Sequence, residues 1–128
     1  MKASELMIGD WIRYGSRFGI VKAIKTDECL ILVSCNGNDE LIWETLDNIE
    51  SIPLTPEILE KNGWEYNNYN NETEYEEEYY VDENGFDVHI NGKKFEVRCI
   101  DAVNIQLKYL HELQHVLKLC GIEKTIEL

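Results

Sequence analysis

The chain has 128 residues, 44% of them hydrophobic, with 12 Lys and Arg against 25 Asp and Glu and a formal net charge of -13. The hydrophobic share excludes wholesale disorder, and a chain of this length buries roughly 65–70% of its unfolded surface when it folds. The acid excess argues against direct nucleic-acid binding and against adhesion to anionic membranes, both of which need clustered Lys and Arg. No stretch approaches the ~20 apolar residues of a spanning helix.

No apolar segment follows Lys2, so the opening MKASELMIGDW is not expected to be a secretion signal. A cytoplasmic location with reduced thiols is the expectation. Cys29, Cys35, Cys99 and Cys120 form no C-x-x-C pair and read as small buried hydrophobes. Cys29 and Cys35 lie six apart and are expected on one face of a strand.

Residues 1–54 read as a small β-barrel. Ile8, Trp11, Ile12 and Tyr14 open a strand, and Gly15-Ser16 turns it. Phe18 to Ile24 and the apolar run Cys29 to Cys35 follow. Asn36-Gly37-Asn38-Asp39 is the clearest turn, since Asn-Gly takes positive φ cheaply. Leu41 to Thr45 returns as its partner, and Pro53 limits Ile49 to Leu54 to an edge. Five short strands suggest a bent barrel of the Src-homology type.

Residues 55–128 read as an α+β region. Thr55 caps a short helix, Pro56 and Glu57 suit its first turn, and Gly63 stops it. Residues 65–78, EYNNYNNETEYEEE, read as an acidic, solvated loop. Its functional reading is a recognition strip for a partner with a basic surface. Tyr66, Tyr69 and Tyr75 would supply contact area, and Glu72, Glu74, Glu76, Glu77 and Glu78 the charge.

A three-stranded antiparallel meander is expected from Tyr79 to Cys99, turned at Asn84-Gly85 and Asn91-Gly92, with His89 on its wet face. A C-terminal amphipathic helix is expected from Ala102 to Cys120, capped by Asp101. Val103, Leu110, Leu113, Leu117 and Cys120 would form its apolar stripe. Residues 122–128 read as a tail.

His111-Glu112-Leu113-Gln114-His115 is a literal H-E-x-x-H, the pattern in which two imidazoles one helical turn apart bind zinc and the Glu activates water. A third ligand is needed. Only 13 residues follow His115 and none is His, leaving Cys120, Glu123 and Glu127. Both imidazoles share the polar side with Lys108 and Lys118, so they are expected to face outward as scaffolding.

Three segments, MKASELMIGDWIRYG, IPLTPEILEKNGW and LKYLHELQHVLKLCG, resemble in this order a family of small uncharacterised proteins of prophages and mobile elements of gut bacteria. Gly9 and Trp11 match its opening I-G-N-W, with Asp10 where Asn is usual. Ile52 to Leu59 match its middle phrase. Tyr109, His111, Leu113 and Gln114 match its closing Y-x-H-x-L-Q-N, with His115 where Asn is usual. The resemblance implies a mobile-element origin and a cytosolic compartment, and no activity.

The expected protein is therefore a non-catalytic interaction module without cofactor, whose partner carries a basic surface; a homo-oligomer is compatible with it. The rivals are an acidic decoy that mimics DNA before a DNA-acting enzyme, and a zinc hydrolase through His111, Glu112 and His115.

Overall fold

The β-branched run of the sequence becomes the middle of an antiparallel sheet. The computed structural model describes residues 1–35, 40–71, 75–98 and 104–128, with the side chains of 69–71, 75, 76 and 98 left aside. The chain is α+β and divides into two compact units. The first is Met1–Pro53 with Tyr109–Val116; the second is Leu54–Lys108 with Leu117–Leu128.

In the first unit, β1 (Trp11–Tyr14), β2 (Arg17–Lys25), β3 (Leu30–Cys35), β4 (Leu41–Thr45) and β5 (Ile49–Glu50) form one sheet in the order β4-β3-β2-β1-β5. The sheet curls as a half-barrel, with a register shift between Val21 and Ala23. Such a bulge bends and twists a strand. Alternation sends Ile12, Val21, Ile31 and Val33 to the inner face, where none is exposed to solvent, and Leu6, Leu46 and Ile49 close over them. The Asn36 to Asp39 turn lies outside the described residues. Cys35 is buried at the end of β3. Cys29 precedes β3 in left-handed backbone (φ 52°) and is exposed, so the two thiols do not share a strand face.

Gly19 fixes how closely β2 and β3 approach. A Cβ there would lie 2.2 Å from Cγ1 of Val33 and 3.0 Å from the Ser34 carbonyl oxygen. Val33 is β-branched and stiff at χ1, so it cannot swing aside cheaply.

The second unit opens with α1 (Pro56–Lys61). Thr55 Oγ1 accepts the Ile58 N–H at 3.3 Å, and Gly63 follows the helix in left-handed backbone (φ 90°). The acidic segment is not the expected loop. Residues 65–71 and 75–81 are β6 (Glu65–Asn71) and β7 (Tyr75–Val81), paired from Glu65↔Val81 to Asn71↔Tyr75. Both faces of this hairpin are polar over most of its length, so hydropathy carries no alternation signal, while Tyr favours strands. With β8 (Asp87–Asn91), β9 (Lys94–Arg98) and β10 (Asn104–Leu107) the sheet has five strands in the order β10-β9-β8-β7-β6. It is larger than the expected three-stranded meander.

The last helix is shorter than expected. α2 spans Leu110–Leu119, and residues 104–107 belong to β10 instead. Asn104, Ile105, Gln106 and Leu107 alternate with period two and pair with Arg98 to Phe95, so the strand wins the residues that a helical wheel also claims. Cys99, Asp101, Ala102 and Val103 lie outside the described residues. Leu110, Leu113 and Leu117 are buried as expected, but Cys120 is exposed and Leu119 is 84% exposed, so the apolar stripe ends at Leu117.

The tail is docked and not frayed. Ile126 is buried. The Asn62 side chain donates to the Glu127 carbonyl at 2.9 Å and accepts the Glu127 N–H at 2.7 Å. Lys124 Nζ lies 3.4 Å from the buried Asp82 carboxylate and 4.3 Å above the Trp64 ring. Trp64, itself buried, donates its indole N–H to the Phe86 carbonyl at 3.2 Å.

Gly19→Ala is expected to destabilise the first unit by about 1–3 kcal/mol, the usual cost of overpacking. A lowered urea midpoint with an unchanged m-value checks it.

Candidate functional site

The H-E-x-x-H segment occupies the first turns of α2, all within the first unit. Each of its polar side chains has a definable task there. Glu112 sits at the third helical position, and its Oε1 accepts the Tyr109 N–H at 2.9 Å. This is half of a capping box, in which an N-terminal glutamate satisfies a backbone donor that the helix leaves open.

Gln114 works as a backbone mimic. Its Oε1 accepts the Trp11 N–H at 2.9 Å and its Nε2 donates to the Gly9 carbonyl at 3.0 Å. One side chain thus completes the hydrogen bonding of the peptide groups on either side of Asp10, where β1 begins.

Asp10 is fully buried. One carboxylate oxygen accepts the Met7 N–H at 2.8 Å and the Nε2–H of His115 at 2.7 Å. Its other oxygen has no hydrogen-bond partner among the described residues. A buried carboxylate is costly unless it is hydrogen-bonded and paired with a cation. His115, whose side chain is 24% exposed, supplies the ring donor and keeps one edge near water.

His111 corrects the expectation that both imidazoles face outward. It is 5% exposed, stacks on Tyr109 with ring centroids 5.8 Å apart, and lies edge-on to His115 at 5.5 Å. Its Nδ1 has no hydrogen-bond partner among the described residues. Burial pushes its pKa below the ordinary histidine value, and His115 lowers it further, against the opposing pull of Asp10, Glu112 and Glu5. His111 is thus a core imidazole held neutral.

The zinc reading meets this geometry directly. Nε2 of His115 is engaged by Asp10, one oxygen of Glu112 by the helix start, and His111 is packed against Tyr109. Among the described residues, no three His, Cys, Asp or Glu side chains are placed together to hold a metal ion.

The acidic strip lies elsewhere, in the second unit. Tyr66 is 46% exposed and donates its hydroxyl to Glu78 Oε1 at 2.9 Å, its ring edge-on to Tyr80 at 5.6 Å. Glu77 and Glu78 are half-buried. Glu77 Oε1 lies 2.9 Å from His89 Nδ1, and the Tyr79 ring flanks His89 at 5.7 Å. His89 is therefore half-buried and not an open surface residue. Register sets Tyr69 across from Glu77, Asn70 across from Glu76 and Asn71 across from Tyr75. Glu72 and Glu74 lie outside the described residues.

Sequence reasoning names Asp10 and Gln114 only within the family resemblance and the motif string, and assigns neither a place in a site. The available signal was a Gly-Asp-Trp opening beside a polar Gln-His pair on an otherwise leucine-rich helix. The chain matches no protein-family model, no curated protein and no solved structure.

Gln114→Ala removes two part-buried hydrogen bonds at once and is expected to cost about 1–3 kcal/mol; chemical denaturation checks it. His111 gives a pH test. Its folded-state pKa is lowered, so the unfolded chain takes up the proton first. The stability it contributes is full above about pH 6.5 and is lost as pH falls below that value. His111→Phe keeps the stacking and removes the titration. The variant is expected to lose less stability than the parent between about pH 7.5 and about pH 5, read from urea midpoints.

Proposed function

We propose that this chain is a non-catalytic protein-interaction module whose partner presents a basic surface, bound through the β6–β7 hairpin. The observation that carries the reading is the hairpin itself. β6 is the outermost strand of its sheet, with a partner on one side in β7. The sequence of β6 and β7 holds Glu65, Glu76, Glu77 and Glu78 and no Lys or Arg. The backbones of paired strands are held at fixed spacing, which lowers the ordering cost of binding relative to a loose loop. Tyr66 adds an exposed amphipathic ring, a residue type enriched at interfaces.

The resemblance to mobile-element proteins belongs to the same proposal, as do a cytoplasmic location and a Src-homology-type barrel for the first unit. The strand order β4-β3-β2-β1-β5 supports the barrel reading. The matched residues Gly9, Trp11 and Gln114 are joined by the Gln114 side chain. The two residues that depart from the phrases, Asp10 and His115, are hydrogen-bonded to each other.

Immobilised chain, probed with a lysine- and arginine-rich peptide and with host lysate, tests the reading. Glu76→Gln/Glu77→Gln/Glu78→Gln is expected to reduce capture at least about tenfold at low salt, and high salt to abolish it, because exposed charge pairs are screened. Capture that ignores both changes would remove the hairpin from the interface.

A further inference from the structure

The longest outer strand of either sheet is β6. It has seven residues, against two in β5, four in β10 and five in β4, the other strands that end a sheet. Its pairing with β7 runs from Glu65 to Asn71 without a bulge. Its sequence, EYNNYNN, holds no Lys, Arg or Pro. Glu65, Tyr66, Asn67 and Asn68 are exposed in succession, so side chains from both faces of that stretch reach solvent.

An outer strand aims the N–H and C=O of alternate residues away from its sheet. Proteins discourage pairing at such an edge by keeping the strand short or by placing lysine, proline or a bulge in it. β6 has none of these, and its one charged residue, Glu65, is acidic.

The surrounding charge selects what can pair there. No Lys or Arg occurs between Lys61 and Lys93, while β7 holds Glu76, Glu77 and Glu78. A second copy meeting edge to edge would set carboxylates against carboxylates. An added strand would lie about 5 Å beyond β6 and about 10 Å from β7, one and two strand spacings. The longer distance is about one Debye length at about 0.1 M salt. A lysine on the added strand can therefore feel the β7 carboxylates across the short side chains of Asn67 and Asn68.

We infer that the partner binds as an added β-strand, an extended lysine- or arginine-bearing segment whose main chain pairs with the outer edge of β6. The inference rests on the basic-partner reading above and deepens it, from a charged surface to a backbone geometry. In strand addition the main-chain hydrogen bonds give affinity and the side chains give selection. Here β6 offers the first and the β7 carboxylates the second. A partner segment of this kind has no proline within the paired stretch, because proline cannot donate to a ladder.

Fluorescence anisotropy of the full chain with two labelled peptides tests this. One alternates Lys and Thr and matches β6 in length. The other is the same peptide with every backbone amide N-methylated, which keeps the charge and removes the N–H donors. The first is expected to bind, and methylation to weaken binding at least about tenfold through loss of the ladder bonds. Amide hydrogen exchange in β6 is expected to slow at least about tenfold with the unmodified peptide bound. Glu76→Gln/Glu77→Gln/Glu78→Gln, checked for folding by circular dichroism, separates the two readings. It removes charge and leaves the β6 edge in place, so it is expected to weaken whatever binding each peptide shows. Equal binding of the two peptides, both weakened by the triple variant, keeps the basic partner and overturns strand addition. A bound peptide that adds no protection in β6 also overturns strand addition alone. Binding unmoved by the triple variant, or no binding of either peptide, overturns the basic-partner reading and this inference with it.

Discussion

The buried carboxylate of Asp10 is the constraint on which the first unit rests. A carboxylate with no solvent exposure demands donors, and here they come from two distant stretches of chain. Met7 gives a backbone N–H and His115 gives a ring N–H. Gln114 then fastens the peptide groups on both sides of the same residue. A turn of helix that belongs late in the sequence is thereby bonded to the start of the first strand. The His115 imidazole and the Gln114 amide both make this junction.

That junction also gives the polar residues of the literal H-E-x-x-H motif structural contacts. H-E-x-x-H specifies two rings one turn apart on a helix, and α2 does place them so. It does not specify what each ring meets. Here one meets a carboxylate and the other a tyrosine face and the protein interior. The same five letters serve packing, capping and hydrogen bonding.

Much of the first unit was legible. The strands from Trp11 to Glu50 announced themselves through β-branched alternation and turn residues, and the Thr55-Pro56 start of α1 through capping chemistry. The second unit was legible only where one face is apolar. Val88 and Val97 gave the alternation that marks β8 and β9. Residues 65–71 and 75–78 have polar side chains in both alternate rows, so nothing in hydropathy separates strand from coil there. Asn104 to Leu107 satisfies a period of two as well as it satisfies a helical wheel, and only pairing with β9 decides between them. The Asp10–His115 pair was illegible because its members are 105 positions apart, and no local pattern encodes a long-range hydrogen bond.

The separation between those two residues has a consequence for synthesis. A chain emerges from the ribosome from its N-terminus, and domains tend to fold in that order. The first sheet can pair its strands early, since β1 to β5 are joined by short connections. Its buried carboxylate, however, stays without its ring donor until residues 109–116 are translated. During that interval the first sheet lacks a hydrogen-bond donor that the folded unit supplies to Asp10. Gln114 and His115 therefore supply their hydrogen bonds to the first unit only after the whole of Leu54–Lys108 has been made.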